Sequence, residues 1–405
     1  MNKILLLSIS MLCLGSAAIL SSCLSADDQT QPLTVYVSLQ DPAGLQGVTG
    51  GRTVTLASSS GLSYSATTDA AGLATFAGVI PDVYTVSASW TITSDQYAAA
   101  TGQTVQHGTY VLGGSLLGQV LTVDATTLTL ATNCARKQSV LISKVYYAGC
   151  KDANNKNYLA GRFVELYNNS DEAVDVAGMY LGLLESNSTP AYIIATHSDY
   201  IYLKQVFRFP AEGHHILAPG QHLIVTNSAV DHTQSAPDDF DESQADYECK
   251  STVKGAPVNN PATPAMELIY TTFSGIPNMN LVQGGPCGVI LFETDQDVTS
   301  WEQVYSDGKS SGVMSLRMPA TCVTDGVDVL KRKSDGTVDV ATKRLYDFID
   351  AGYTFIQAAN GYTGEVIYRR LETTTPDGRA VLLDTNNSLD DWACTTDIEI
   401  GQYKQ

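Results

Sequence analysis

The chain has 405 residues, 42 of them acidic against 23 basic, with a formal net charge of −19. That length allows two or three domains, each with its own core. A surface so negative argues against binding nucleic acid or anionic lipid through the protein itself. Charged residues are sparse at 16%, while Ser, Thr, Gly and Val dominate and long Ala/Leu/Glu/Lys helical patterns are nearly absent. This composition fits a mainly β, extracytoplasmic protein better than a cytosolic enzyme.

Met1–Ser22 reads as a targeting segment, with Lys3 as a short positive region and Ile4–Leu14 as the apolar stretch. It is too short for a comfortable permanent span. Leu20-Ser21-Ser22-Cys23 resembles a bacterial lipobox, in which the Cys23 thiol is acylated and becomes the first residue after cleavage. Several acyl chains hold a protein to a bilayer stably where one would not. The tether over residues 23–32 carries Asp27 and Asp28, which resemble the acidic signal that sends lipoproteins of gut-type Bacteroidota to the outer face of the outer membrane.

After this processing six cysteines remain, Cys134, Cys150, Cys249, Cys287, Cys322 and Cys394. An even number in an exported chain predicts up to three disulfides, with the pairing left open. No CxxC pair is present, so zinc-ribbon and thioredoxin-like readings fail.

The first folded region is predicted over residues 33–133. Leu33–Leu39 alternates as a half-buried strand, and Thr53–Ala57 is the next. A hairpin turn at Ala70–Gly72 feeds a strand with Ala74 and Phe76 on one face, and a turn around Pro81 feeds Tyr84, Val86 and Ala88. Val120–Val123 and Thr127–Leu130 are predicted to close the domain, and His107 is read as a solvent-facing residue. The pattern from Asp69 to Ala88 resembles the transthyretin-like, or carboxypeptidase-regulatory-like, β-sandwich. That resemblance implies a spacer or docking module without chemistry of its own.

The second region is predicted over residues 134–405. Val140–Tyr147 reads as its first strand, followed by a polar loop at Cys150–Asn157. Arg162–Gly182 reads as a hairpin: Phe163–Tyr167, a turn at Asn168–Asp171, and a return strand beginning at Val174 and Val176. His222–Thr226 and Gly288–Phe292 are further strands, and Val340–Ile349 reads as a short helix. Ile142–Tyr146, Glu165–Asn169, Val176–Leu181, Leu217–Val225 and Asp384–Ser388 together resemble the lamin-tail domain, an immunoglobulin-like β-sandwich. Combined with the lipobox, the chain resembles an uncharacterised surface lipoprotein family of Bacteroidota. Insertions near Glu185–Val206 and Asp231–Val282 enlarge the region well beyond a lamin tail.

Several residue sets carry chemical possibilities. His214, His215 and His222 are the best metal-like group, with His197 and His232 in the flanking insertions, but no spaced metal motif accompanies them. Asp238–Glu242 and Asp152-x-Asn154-x-Lys156 lack calcium-loop spacing and read as solvated loops. Tyr192, Tyr200, Tyr202 and Phe207 offer an aromatic platform for a glycan or protein partner, or ordinary strand packing. Glu165 is read as a structural hydrogen-bonding residue by the lamin-tail resemblance.

No GxSxG elbow, phosphate-binding loop or placed carboxylate pair is found, and no cofactor is expected. The expected function is therefore a non-catalytic binding module anchored in the outer membrane through Cys23, accessory to a TonB-dependent transporter. A structural adhesin or scaffold, and a secreted hydrolase with an unrecognised carboxylate site, are the alternatives.

Overall fold

The computed structural model describes residues 31–102, 109–136, 138–187, 199–305 and 309–405. The predicted targeting segment, Cys23, His107, Tyr192 and His197 lie outside the described residues.

In the first unit, Leu33–Gln40 turns Leu33, Val35, Val37 and Leu39 inward, as its alternation requires. It pairs antiparallel with Leu73–Val79 and parallel with Thr126–Ala131 in a three-stranded sheet. The facing five-stranded sheet runs Ser63–Thr67, Thr53–Ser58, Asp82–Thr93, Thr109–Leu121 and Asn133–Arg136. Val35, Val37, Val54, Leu56, Phe76, Tyr84 and Val86 fill the space between them.

The turn at Ala70–Gly72 is present, with Asp69 Oδ1 accepting from the amides of Ala71 and Leu73 at 2.8 and 3.0 Å. It does not close a hairpin. Ser63–Thr67 pairs with Thr53–Ser58, whereas Leu73–Val79 pairs with Leu33–Gln40, so this turn carries the chain from one sheet to the other. The predicted Val120–Val123 strand ends at Leu121, and Val123 is exposed.

The second unit packs a six-stranded sheet on a seven-stranded one. The first runs Tyr247–Glu248, His222–Thr226, Phe163–Asn168, Val140–Tyr146, Val366–Arg369 and Trp392–Thr395. The second runs Gln303–Tyr305, Met314–Pro319, Tyr200–Arg208, Tyr180–Leu184, Val289–Phe292 and Val323–Val327, with Glu267–Thr271 also paired to Tyr200–Arg208. Leu166, Leu181, Leu183, Phe207, Val225, Val289 and Leu291 belong to the core between the sheets.

Both sheets are also covered on their outer faces. Tyr146, Phe163, Ile224 and Val366 meet Phe240, Ile398 and Ile400 on one side. Ile201, Leu203, Ile290 and Phe292 meet Leu345, Tyr346 and Ile349 on the other. This explains why Val140–Tyr146 and Phe163–Asn168 are buried along their whole length rather than alternating.

Three sequence expectations are corrected here. Arg162–Gly182 is not a hairpin. Phe163–Asn168 pairs with Val140–Tyr146 and His222–Thr226, Val174–Asp175 pairs with Ile216–Leu217, and Tyr180–Leu184 joins the opposite sheet. The Asn168–Ser170 turn, held by Asn168 Oδ1 accepting from the Ser170 amide at 3.0 Å, begins a crossover between layers.

Val340–Ile349 is not a helix beyond a 3-10 turn at Val340–Thr342. The Arg344 and Leu345 amides, which a helix would bond internally, instead donate to Asp328 Oδ2 at 2.5 and 2.7 Å.

All six described cysteines are free thiols, against the predicted disulfides. Cys249 and Cys287 sit within the intersheet core and Cys394 at its edge, while Cys322 packs on the second sheet's outer cluster and Cys134 in the first unit. Apolar packing on four sheet faces supplies the stability that staples supply in smaller exported domains.

Candidate functional site

The three histidines of the metal-like set part company. His214 is exposed and its Nδ1 bonds the Asp175 carboxylate. His215 Nδ1 lies 3.0 Å from the Tyr247 hydroxyl. His222 packs beneath Gly401, where an added Cβ would stand 2.7 Å from the ring. His232 is buried: its Nε2 donates to Ser228 O at 2.8 Å, and its Nδ1 lies 2.7 Å from Tyr158 OH. Among the described residues no cluster of His, Cys, Asp and Glu is arranged to hold a metal ion.

In the aromatic set, Tyr200 and Tyr202 share one face of the Tyr200–Arg208 strand while Phe207 turns elsewhere. Tyr200 is exposed beneath the Arg317 guanidinium at 4.4 Å, Tyr202 packs against the second sheet's outer cluster, and Phe207 is inside the intersheet core. The Asp152 loop is a tight turn, with Asp152 Oδ1 accepting from the amides of Asn154 and Lys156 at 2.8 Å each.

The Asp238–Glu242 run is not a solvated loop throughout. Phe240 plugs the outer cluster of the first sheet and draws Asp239 and Glu242 under cover. Burial pushes both carboxyls above their ordinary range, Glu242 well above it. Thr226 Oγ1 donates to Glu242 Oε2, and Asp239 Oδ2 receives the Cys150 thiol at 3.4 Å.

Two further ionic groups, one buried and one half-buried, escaped the sequence reading. Arg369 bonds Asp325 at 3.1 Å, Asp384 at 3.3 Å and Asp391 at 3.4 Å. Asp325 and Asp384 face a cleft of about 220 Å³ at the junction of the two units, across from Val111 and Ala135. Ser89 Oγ donates to Thr385 O at 3.0 Å across the same junction.

The second group surrounds Arg162, at the entrance to the Phe163–Asn168 strand. Its Nε donates to Leu159 O at 3.0 Å and its Nη1 to Leu281 O. Burial pulls this guanidinium down to about 10. Arg162 lines a cleft of about 390 Å³ whose far walls are residues 253–257 and 275–278 of the second insertion. No local pattern marks Arg162, because Leu281 is 119 positions away in the chain.

The fold defines a mainly β protein of packed sandwiches. Residues 218–397 match the family described as a protein of unknown function, DUF4876. A crystal structure of a DUF4876 family protein from Bacteroides thetaiotaomicron is 23% identical, with a TM-score of 0.56 over 89% of this chain and 95% of that one. At that identity the likeness shows a shared fold. Fervidolysin from Fervidobacterium pennivorans, described as a keratinolytic enzyme related to subtilisin, is 16% identical over 49% of this chain and 30% of that one, with a TM-score of 0.20, and carries no argument. No curated protein matches the chain.

Proposed function

We propose that the protein is an outer-membrane lipoprotein, anchored through Cys23 and exposed at the cell surface, that acts as a non-catalytic binding module. The observation that carries this reading is the apolar Ile4–Leu14 stretch followed by Leu20-Ser21-Ser22-Cys23. The first sandwich serves as the spacer and the insertions of the second meet the ligand. Its partner is a TonB-dependent transporter, to which a surface lipoprotein delivers cargo.

The engagement of the buried carboxylates in fold-holding contacts supports a binding role over a catalytic one. Glu165 ties a strand to the C-terminal segment, Asp328 caps the Arg344 and Leu345 amides, and Asp391 receives the Thr385 amide at 2.9 Å. The test is a pull-down of the native lipoprotein from solubilised outer membranes. Co-purification of an integral transporter is expected. Recovery of no envelope protein overturns the partnership and favours a free-standing adhesin or scaffold.

A further inference from the structure

We infer that the cleft between Arg162 and the second insertion is a binding site for an organic monocarboxylate, with Arg162 taking the carboxylate and the apolar rim taking the body. This deepens the binding-module reading and rests on it for the ligand's being cargo.

The argument begins with charge. Arg162 is bonded to two backbone carbonyls, and its Nη2 has no partner among the described residues. Nor does any described carboxylate pair with it. A guanidinium partly withdrawn from water without a counter-anion carries a desolvation cost, and the usual remedy is an acidic neighbour. In a chain with 42 acidic residues that neighbour is missing.

The surroundings deepen the deficit. Lys204 is buried nearby, and burial, followed by the charges of Arg162 and Arg344, holds its ammonium down at about 8. The carboxylate of Glu185 is committed to Arg344 Nε at 2.9 Å. An anion in the cleft would complete this site, and the planar fork of arginine suits a carboxylate.

The rim narrows the chemistry further. Val253 is 40% exposed and Ile276 37%, and Pro257 lines the cleft with them. Val258 and Phe273, adjacent in the chain to these walls, are also exposed at 72% and 40%. Such side chains do little for an inorganic anion, whereas they cover the hydrocarbon part of an organic acid. The volume falls within the range of small-molecule sites.

The test uses protein spanning residues 31–405, which lacks the apolar Ile4–Leu14 stretch and Cys23 and so needs no detergent, and titration calorimetry with octanoate and phenylacetate. These two arms separate an aliphatic from an aromatic body. Octanamide is the uncharged control and should bind about tenfold or more weakly than octanoate, the effect of losing a charge-assisted hydrogen bond. Arg162→Gln should weaken octanoate comparably.

Because Arg162 is partly structural, the exposed Ile276→Asp gives an independent reading: octanoate binding falls while the thermal midpoint stays unchanged. Equal binding of octanamide and octanoate, or no binding of either acid, overturns the inference. If neither acid binds while a transporter is recovered by pull-down, the cleft assignment falls and the binding module stands. If an acid binds and no envelope protein is recovered, the transporter partnership falls instead.

Discussion

Lys144 Nζ stands 2.6 Å from Glu165 Oε1, and both side chains are wholly buried. The carboxylate is shared widely. Oε1 also accepts from Ser143 Oγ at 2.7 Å and Tyr403 OH at 2.9 Å, while Oε2 accepts from the Gly401 amide at 2.8 Å. Lys144 Nζ lies 4.2 Å from the centre of the Tyr403 ring. One ionic group therefore fastens two central strands to the C-terminal segment that covers the first sheet.

Glu165→Ala removes that fastening and leaves the Lys144 ammonium buried without its partner, at a cost of about 3–5 kcal/mol. Chemical denaturation should show this loss, and hydrogen exchange should accelerate over residues 398–405. The paired change Lys144→Met with Glu165→Leu should recover most of the global stability, since an apolar pair avoids the desolvation cost. It should not restore protection of the C-terminal segment, because the Gly401 amide and Tyr403 hydroxyl still lack their acceptor. Equal protection in both variants and wild type would show that apolar contacts of Ile398 and Ile400 alone hold this segment.

Two of the carboxylates around Arg369, those of Asp391 and Asp325, set a pH dependence. Burial, with Asp384 adding to it, raises Asp391 to about 8 against the opposing pull of Arg369. Burial likewise raises Asp325 to about 6. An acid whose folded value exceeds its unfolded value of 3.8 favours folding when protonated. Its contribution is full below that unfolded value and is lost as pH rises through the folded ones. This cluster should therefore lower the thermal midpoint progressively between about pH 4 and pH 8. Asp391→Asn should flatten the profile at its upper end. Arg369→Met should be far more damaging at pH 8 than at pH 5, where the carboxyls can accept protons. An equal loss at both values would mean that the packing of Arg369 on Trp392, at 5.3 Å, matters more than its charge.

The sequence made the strands legible where alternation survives. Leu33–Leu39 shows it because one face of that strand is less covered, and His222–Thr226 is bounded by a Pro219–Gly220 turn. What could not be read is which strand meets which. Val174 and Val176 look like the return of a hairpin, yet their neighbours are chosen by two sheets stacked on each other, and that choice leaves no local trace. The acidic run at Asp238–Glu242 was misread for a related reason. Phe240 has its partners Tyr146 and Phe163 in distant strands, and docking there carries the adjacent acids under cover. Arg369 stayed invisible because Asp325, Asp384 and Asp391 come from elsewhere in the chain, and Arg162 because its second carbonyl partner, that of Leu281, does.

The thiols give the last prediction. Burial raises Cys150, Cys287 and Cys394 each to about 12 and pushes Cys249 well above its ordinary range. A thiol so held contains almost no thiolate at neutral pH and reacts slowly with disulfides and alkylating reagents. Protein spanning residues 31–405 should titrate six thiols after denaturation without reductant. In the native state the buried Cys150, Cys249 and Cys287 should be protected, and of the three partly exposed thiols Cys322 should react first, because burial raises Cys134 to about 11 and Cys394 to about 12. Dithiothreitol should leave the denaturation midpoint unchanged. A midpoint that falls on reduction, together with fewer than six titratable thiols, would mean that disulfides staple the protein after all.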